Sequence, residues 1–178
     1  MVDYEIYTDG GYSMQADLGA FAYVILQNGE IVRKYAQKIE HETNNRAEIK
    51  AIMESVLSLP SDCRVIVYSD SQYALGVLSG GYKAKKNTDL VNFYKKSVKT
   101  LGIKVQYQWI KGHSGNKYNE LCDAMCNEAA GMDLNAIPKK KMQSYHSITD
   151  ADIKAMNDKD LFLLLGKIQT ELLKRKHK

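Results

Sequence analysis

The stretch "CRVIVYSD", Cys63 to Asp70, is a nearly continuous apolar run closed by an acid. A β-branched run of this length without polar alternation is the signature of a strand covered by helices on both faces, as in a parallel sheet. Near the start of the chain "IYTDGGY", Ile6 to Tyr12, repeats the ending: apolar residue, Tyr, small hydroxyl, Asp. Parallel strands present their C-terminal ends along one edge, where ligands bind. Asp9 and Asp70 are therefore predicted to be neighbours at one rim.

Working outward, residues 2–8, 18–27 and 31–39 have the β-branched and aromatic content of strands, and "QNGE" (Gln27–Glu30) joins the last two with Asn-Gly, a strong hairpin signal. Then the period changes. "TNNRAEIKAIMESVLSL" offers Thr43 or Asn44 as a helix cap, places Ala47, Ala51, Ile52, Val56 and Leu59 at helical spacing, and is followed by Pro60. After the 63–70 strand the pattern predicts a short helix (Ser71–Leu78), a Gly-Gly break, a longer helix (about Thr88–Thr100), a strand (Ile103–Ile110), the loop "KGHSGNKYN" and a helix over Glu120–Ala130. The order βββαβ(α)αβα implies an α/β fold with a mixed sheet, an antiparallel meander leading, flanked by helices.

Past Gly131 the texture shifts. "IPKKKMQSYHS" resembles a linker, and the remainder resembles one or two amphipathic helices with Thr149 or Asp150 and Asn157 or Asp158 as caps. The expected organisation is a folded α/β domain over 1–131 and a basic, helical C-terminal extension over 132–178. Charge divides the same way: residues 1–131 carry 15 Lys+Arg against 15 Asp+Glu, and residues 132–178 carry 10 against 6. A second basic patch lies between Lys83 and Lys104, seven lysines against Asp89 alone. Such patches suit an anionic partner, although solvated helix faces have the same composition. In the extension, Lys139–Lys141 and Lys174–Lys178 could contact phosphates, whereas Leu161–Leu165 with Ile168 and Leu172 favours packing onto the domain or a partner protein. No run approaches a membrane span, no secretory signal opens the chain, and three cysteines form no disulfide framework. A cytoplasmic protein without membrane contact is expected. Cys122 and Cys126 read as buried small residues and Trp109 as core or loop anchor.

Taken singly, Asp9 suits a turn and Asp70 suits a helix cap. Glu48 is less ordinary, because it shares a helix face with Ala51, Ile52, Ser55 and Leu59, and an unpaired carboxylate near a core is costly. Asp123 shares a face with Asn119, Cys126 and Ala130. If the first turns of two helices bring Glu48 and Asp123 to the rim of Asp9 and Asp70, four acids repel strongly unless cations neutralise them. Hard divalent ions such as Mg²⁺ take oxygen ligands and keep positions open for water and phosphate.

"YTDGG", "TNNRAEIKA", "VYSDSQY", "KKNTDL" and "WIKGHSGNKYNELCD", in this order and spacing, resemble a type 1 ribonuclease H (the ribonuclease HI family) over about residues 3–131. The resemblance implies a mixed five-stranded sheet and an endonuclease that hydrolyses the RNA strand of RNA–DNA hybrids, leaving 5′-phosphate and 3′-hydroxyl ends. It implies Asp9, Glu48, Asp70 and Asp123 as ligands of two Mg²⁺ ions bound with substrate, Mn²⁺ being able to substitute. Asp9 would bridge both ions, and His113 would assist proton transfer or product release. It implies Asn44, Asn45 and Gln72 in the minor groove, with Thr43 and Asn87 on a DNA-strand phosphate. His41 stands where some members have Arg. "GGYSMQADLGA" is closer to retroviral ribonuclease H domains than to the Gly-Asn-Pro-Gly loop of many cellular members, and a contact from Gln15 belongs to that loop. Leu78–Lys86 is too short for the basic handle of some bacterial members.

The rivals are a resolvase, integrase or exonuclease on the same scaffold, a ribonuclease H-like domain of a reverse transcriptase, and a non-catalytic hybrid-binding accessory module. The amide set argues against the first group and the four acids against the last. A monomer is expected.

Overall fold

A computed structural model describes residues 2–13 and 17–131. The extension 132–178 and residues 14–16, with Gln15, lie outside the described residues. Five strands, β1 (Tyr4–Ser13), β2 (Leu18–Gln27), β3 (Glu30–Glu40), β4 (Arg64–Ser69) and β5 (Lys104–Trp109), form one sheet in the order β3-β2-β1-β4-β5. The three leading strands pair antiparallel, and β1–β4 and β4–β5 pair parallel, so the expected mixed architecture is the observed one. Asn28 and Gly29 both take positive φ, the backbone that a two-residue hairpin needs.

The helices are α1 (Asn44–Leu57), α2 (Gln72–Ser79), α3 (Thr88–Leu101) and α4 (Lys117–Ala129). β2 is buried along nearly its whole length, which its unbroken apolar sequence requires. Its Ala20, Ala22, Val24 and Leu26 join Tyr7, Cys122 and Cys126 in the core under α4. Period-two alternation turns Phe21, Tyr23 and Ile25 to the other face, where α1 packs and where α2 and α3 pack in turn on α1.

β1 differs from expectation in an informative way. It continues past Thr8 to Ser13, because its pairing with β2 runs on to Ser13–Leu18. Its pairing with β4 stops at Tyr7–Tyr68, whose rings stack at 4.6 Å. The sheet therefore splits between β1 and β4 just beyond these tyrosines, with Asp9 and Asp70 each two residues past the last pair. That split is the opening in which the two acids meet.

Candidate active site

Local chemistry frees the predicted acids from structural duties. Ser71 caps α2, its Oγ accepting from the Ala74 N–H at 3.2 Å, so Asp70 is not the cap. Thr43 caps α1 through Oγ1 and the Arg46 N–H at 3.3 Å. Asn116 caps α4 by accepting from the Tyr118 and Asn119 N–H groups, each at 3.1 Å, which starts that helix three residues before Glu120. With these starts, Glu48 and Asp123 lie in the second turns of α1 and α4, one turn deeper than expected. The helix N-terminus thus contributes less to holding Glu48 than first-turn placement would give.

Glu48 reaches the rim because α1 presses on β1 at Gly10. A Cβ there would lie 2.5 Å from both the Ala47 carbonyl carbon and the Glu48 nitrogen. Gly10→Ala is expected to cost about 1–3 kcal/mol by pushing backbone against backbone, and to lower activity by displacing Glu48. Thermal melting together with cleavage rate checks both.

Asp9, Glu48 and Asp70 come together: one oxygen from each lies within 4.8 Å of the others. Glu48 is buried, and its Oε2 has no hydrogen-bond partner. Burial first, then the Asp70 and Asp123 charges, push the Asp9 carboxyl up from the ordinary 3.8 to about 6, against smaller opposing contributions from the Gly10 amide and His113. Burial, then Asp9 and Asp70, hold the Glu48 carboxyl well above its ordinary value. An orphaned buried oxygen among mutually repelling carboxylates, with hard oxygen donors only, fits a divalent cation. Asp123 acts on Asp9 electrostatically but is not among the three mutually close acids, and its Oδ1 accepts from Asn127 Nδ2 at 3.3 Å.

His113 is exposed, at φ 49°, on the loop between β5 and α4. That loop runs against the site, since a Cβ on Gly112 would meet Asp70 Oδ2 at 2.5 Å. Asn44 and Asn45 are exposed at the start of α1 and Gln72 at the start of α2. Asn44 Oδ1 accepts from the Tyr12 N–H at 3.1 Å, which leaves its amide N–H groups to donate. Asn87, left-handed at φ 58°, is the N-cap residue of α3, but its side chain makes no capping bond. Its Nδ2 instead donates to Tyr73 Oη at 3.3 Å, and its Oδ1 accepts from Arg46 Nη1 at 3.4 Å. His41, exposed and also left-handed, pairs with Asp17.

Sequence reasoning gave Arg46 no role. Its guanidinium binds Glu42 at 2.7 Å and holds Asp89 through two bonds, at 2.9 and 3.1 Å, joining α1 to the start of α3. Its position four residues after Glu42 was the available signal. Trp109 is an anchor but not core: it is 49% exposed, and its Nε1 donates to the Asp70 carbonyl at 3.0 Å. Cys122 and Cys126 are buried free thiols that donate to the Tyr7 and Asp9 carbonyls, and burial pushes both thiols up.

The carboxylate cluster at the split of this mixed five-stranded sheet is a place where a divalent cation could be held. The RNase H family model matches residues 2–131. A Ribonuclease H of Campylobacter jejuni is 36% identical over 134 residues, 71% of this chain and 90% of that protein. One from Thermoanaerobacter sp. is 35% identical over 151 residues, covering 76% and 95%. One from Chlorobium chlorochromatii is 33% identical over 136 residues, covering 70% and 92%. The crystal structure of LC11-RNase H1 in complex with RNA/DNA hybrid has the same fold, with a TM-score of 0.61 and 24% identity over 72% of this chain and 96% of that one. The chain belongs to the ribonuclease H family.

Proposed function

We propose that the chain is an endonuclease that hydrolyses the RNA strand of RNA–DNA hybrids. The observation that carries this is the convergence of Asp9, Glu48 and Asp70 within 4.8 Å, with one buried oxygen of Glu48 unpartnered. Three things support the hybrid specificity: the ribonuclease H relatives, the RNA/DNA hybrid in complex with LC11-RNase H1, and the exposed amides beside the cluster. Asp9, Glu48, Asp70 and Asp123 would hold two Mg²⁺ ions, with Mn²⁺ as substitute. Bound cations would supply positive charge for the attacking and leaving oxygens of an in-line displacement. Water attacks phosphorus and gives up a proton, the bond from phosphorus to the 3′-oxygen breaks and that oxygen takes up a proton, so the products would carry 5′-phosphate and 3′-hydroxyl ends.

The chain's own residues supply the selection. Asn44, Asn45 and Gln72 carry the short amides that can both donate to and accept from 2′-hydroxyls in a minor groove. Thr43 Oγ1 accepts from backbone and so keeps its O–H for a DNA phosphate, with Asn87 beside it across the Arg46 link. All four acids come from one chain, which supports action as a monomer. The domain is read as 1–131 and the extension as 132–178, an added contact surface for protein or nucleic acid. Three free buried cysteines suit a cytoplasmic location.

The deciding experiment offers labelled hybrid beside double-stranded RNA, double-stranded DNA and single strands, with Mg²⁺ or Mn²⁺. Cutting confined to the RNA strand of the hybrid is expected, and indifference to the 2′-hydroxyl would overturn the reading. In the same assay His113→Ala is expected to slow turnover by up to about a hundredfold without abolishing it, because an exposed loop imidazole assists proton movement rather than holding the site.

A further inference from the structure

Beside the carboxylates, α2 and the edge strand β5 enclose an open groove of about 580 Å³, with Gln72 at the catalytic end and Ser79, Tyr82, Tyr107 and Trp109 along it. Tyr82 is 54% exposed and Trp109 49%, so two large aromatic faces stand in solvent on one side of the molecule. Tyr82 is held there, its N–H donating to the Gly76 carbonyl at 2.9 Å. No acidic side chain lines the groove among the described residues. Lys83, Lys85 and Lys86 follow Tyr82, Lys111 follows Trp109, all four are exposed, and among the described residues none of them is in an ion pair.

Exposed rings beside unpaired lysines are the elements of a single-strand platform: bases stack on the rings while cations follow the phosphates. A paired base has both faces covered by its duplex neighbours, so the groove suits nucleotides outside the duplex. The strand follows from the anchor. Trp109 Nε1 is bonded to the carbonyl of Asp70, so the groove adjoins the strand that lies on the carboxylates. On the function proposed above, on which this rests, that strand is RNA. We propose that the α2–β5 groove binds unpaired nucleotides of the RNA strand flanking the hybrid, stacked on Trp109 and Tyr82.

Trp109 is the only tryptophan of the chain, so its emission reports on the groove. The full chain, held in chelator to prevent cleavage, is titrated with a blunt hybrid and with the same hybrid carrying a short single-stranded RNA extension. The extension is expected to tighten binding about five- to tenfold and to quench Trp109 beyond the blunt hybrid. Ser79→Glu, which places a negative charge in the groove, and Tyr82→Ala should each remove that gain while blunt-hybrid binding and cleavage stay unchanged. Circular dichroism confirms that both variants are folded. No gain from the extension, or a gain that survives Ser79→Glu, overturns the groove proposal while leaving hybrid cleavage standing. An equal gain from a DNA-strand extension overturns the strand assignment. Failure to cut the blunt hybrid in a parallel assay with Mg²⁺ would instead strike the function proposed above.

Discussion

Asp9→Asn is expected to reduce hybrid cleavage by at least about a thousandfold, as when one member of a unit that acts together is removed. In the metal-free protein the same change is expected to raise the melting temperature. The two effects have one cause. Asp9 is buried beside Asp70 and Asp123, and burial first, then their repulsion, lifts its carboxyl to about 6. At neutral pH the folded chain therefore holds an anion that it disfavours by about two pH units, on the order of 3 kcal/mol. A neutral amide of the same shape removes much of that penalty and with it the charge that would hold a cation. Asp70→Asn should likewise abolish cleavage with the fold intact. Purified variants measured by hybrid cleavage and by thermal melting in chelator provide the check. Near-normal activity, or a lowered apo melting temperature for Asp9→Asn, would count against a cluster built for cations.

The second large effect is the interplay of pH and metal. The Asp9 carboxyl is raised in the folded state relative to the unfolded chain, and Glu48 is raised as well. Between about 4 and 6 the native state holds a proton that the unfolded state has lost, so this contribution to stability falls as pH rises through that window. Below it, both states are protonated and the contribution is fully present. Divalent cations need the ionised carboxylates, so the sign reverses when they bind. Mg²⁺ should add little to the melting temperature at pH 5 and several degrees at pH 8. Asp9→Asn should lose most of that increment, and chelation should stop cleavage by the wild-type chain. A Mg²⁺ increment equal at both pH values would sink the expectation.

The repeated Tyr-hydroxyl-Asp ending announced the site, because parallel register carries equal offsets from Tyr7 and Tyr68 to the two acids. Glu48 was legible as an acid on an apolar helix face. The depth of Glu48 and Asp123 was not, since it depends on which of several neighbouring polar residues becomes the cap. Thr43 and Asn116 won that competition through bonds to N–H groups that composition alone does not rank. The extension of β1 past Asp9 was hidden for a different reason: "GGYS" has poor strand propensity and is held extended by its partner β2. Arg46 escaped because its partners Asp89 and Asn87 are remote in sequence and meet it only once α1 and α3 are packed.

That arginine has a consequence for substrate choice. Glu48 of the carboxylate cluster and Thr43 of the proposed DNA-phosphate pocket ride on one rigid helix, and Arg46, from the same helix, latches Asp89 and Asn87 beside them. If Thr43 and Asn87 grip a DNA phosphate as proposed, the distance from the carboxylates to that grip is built in, like the jaws of a fixed caliper. Duplexes whose backbones stand too far apart or too close would then satisfy one jaw but not both.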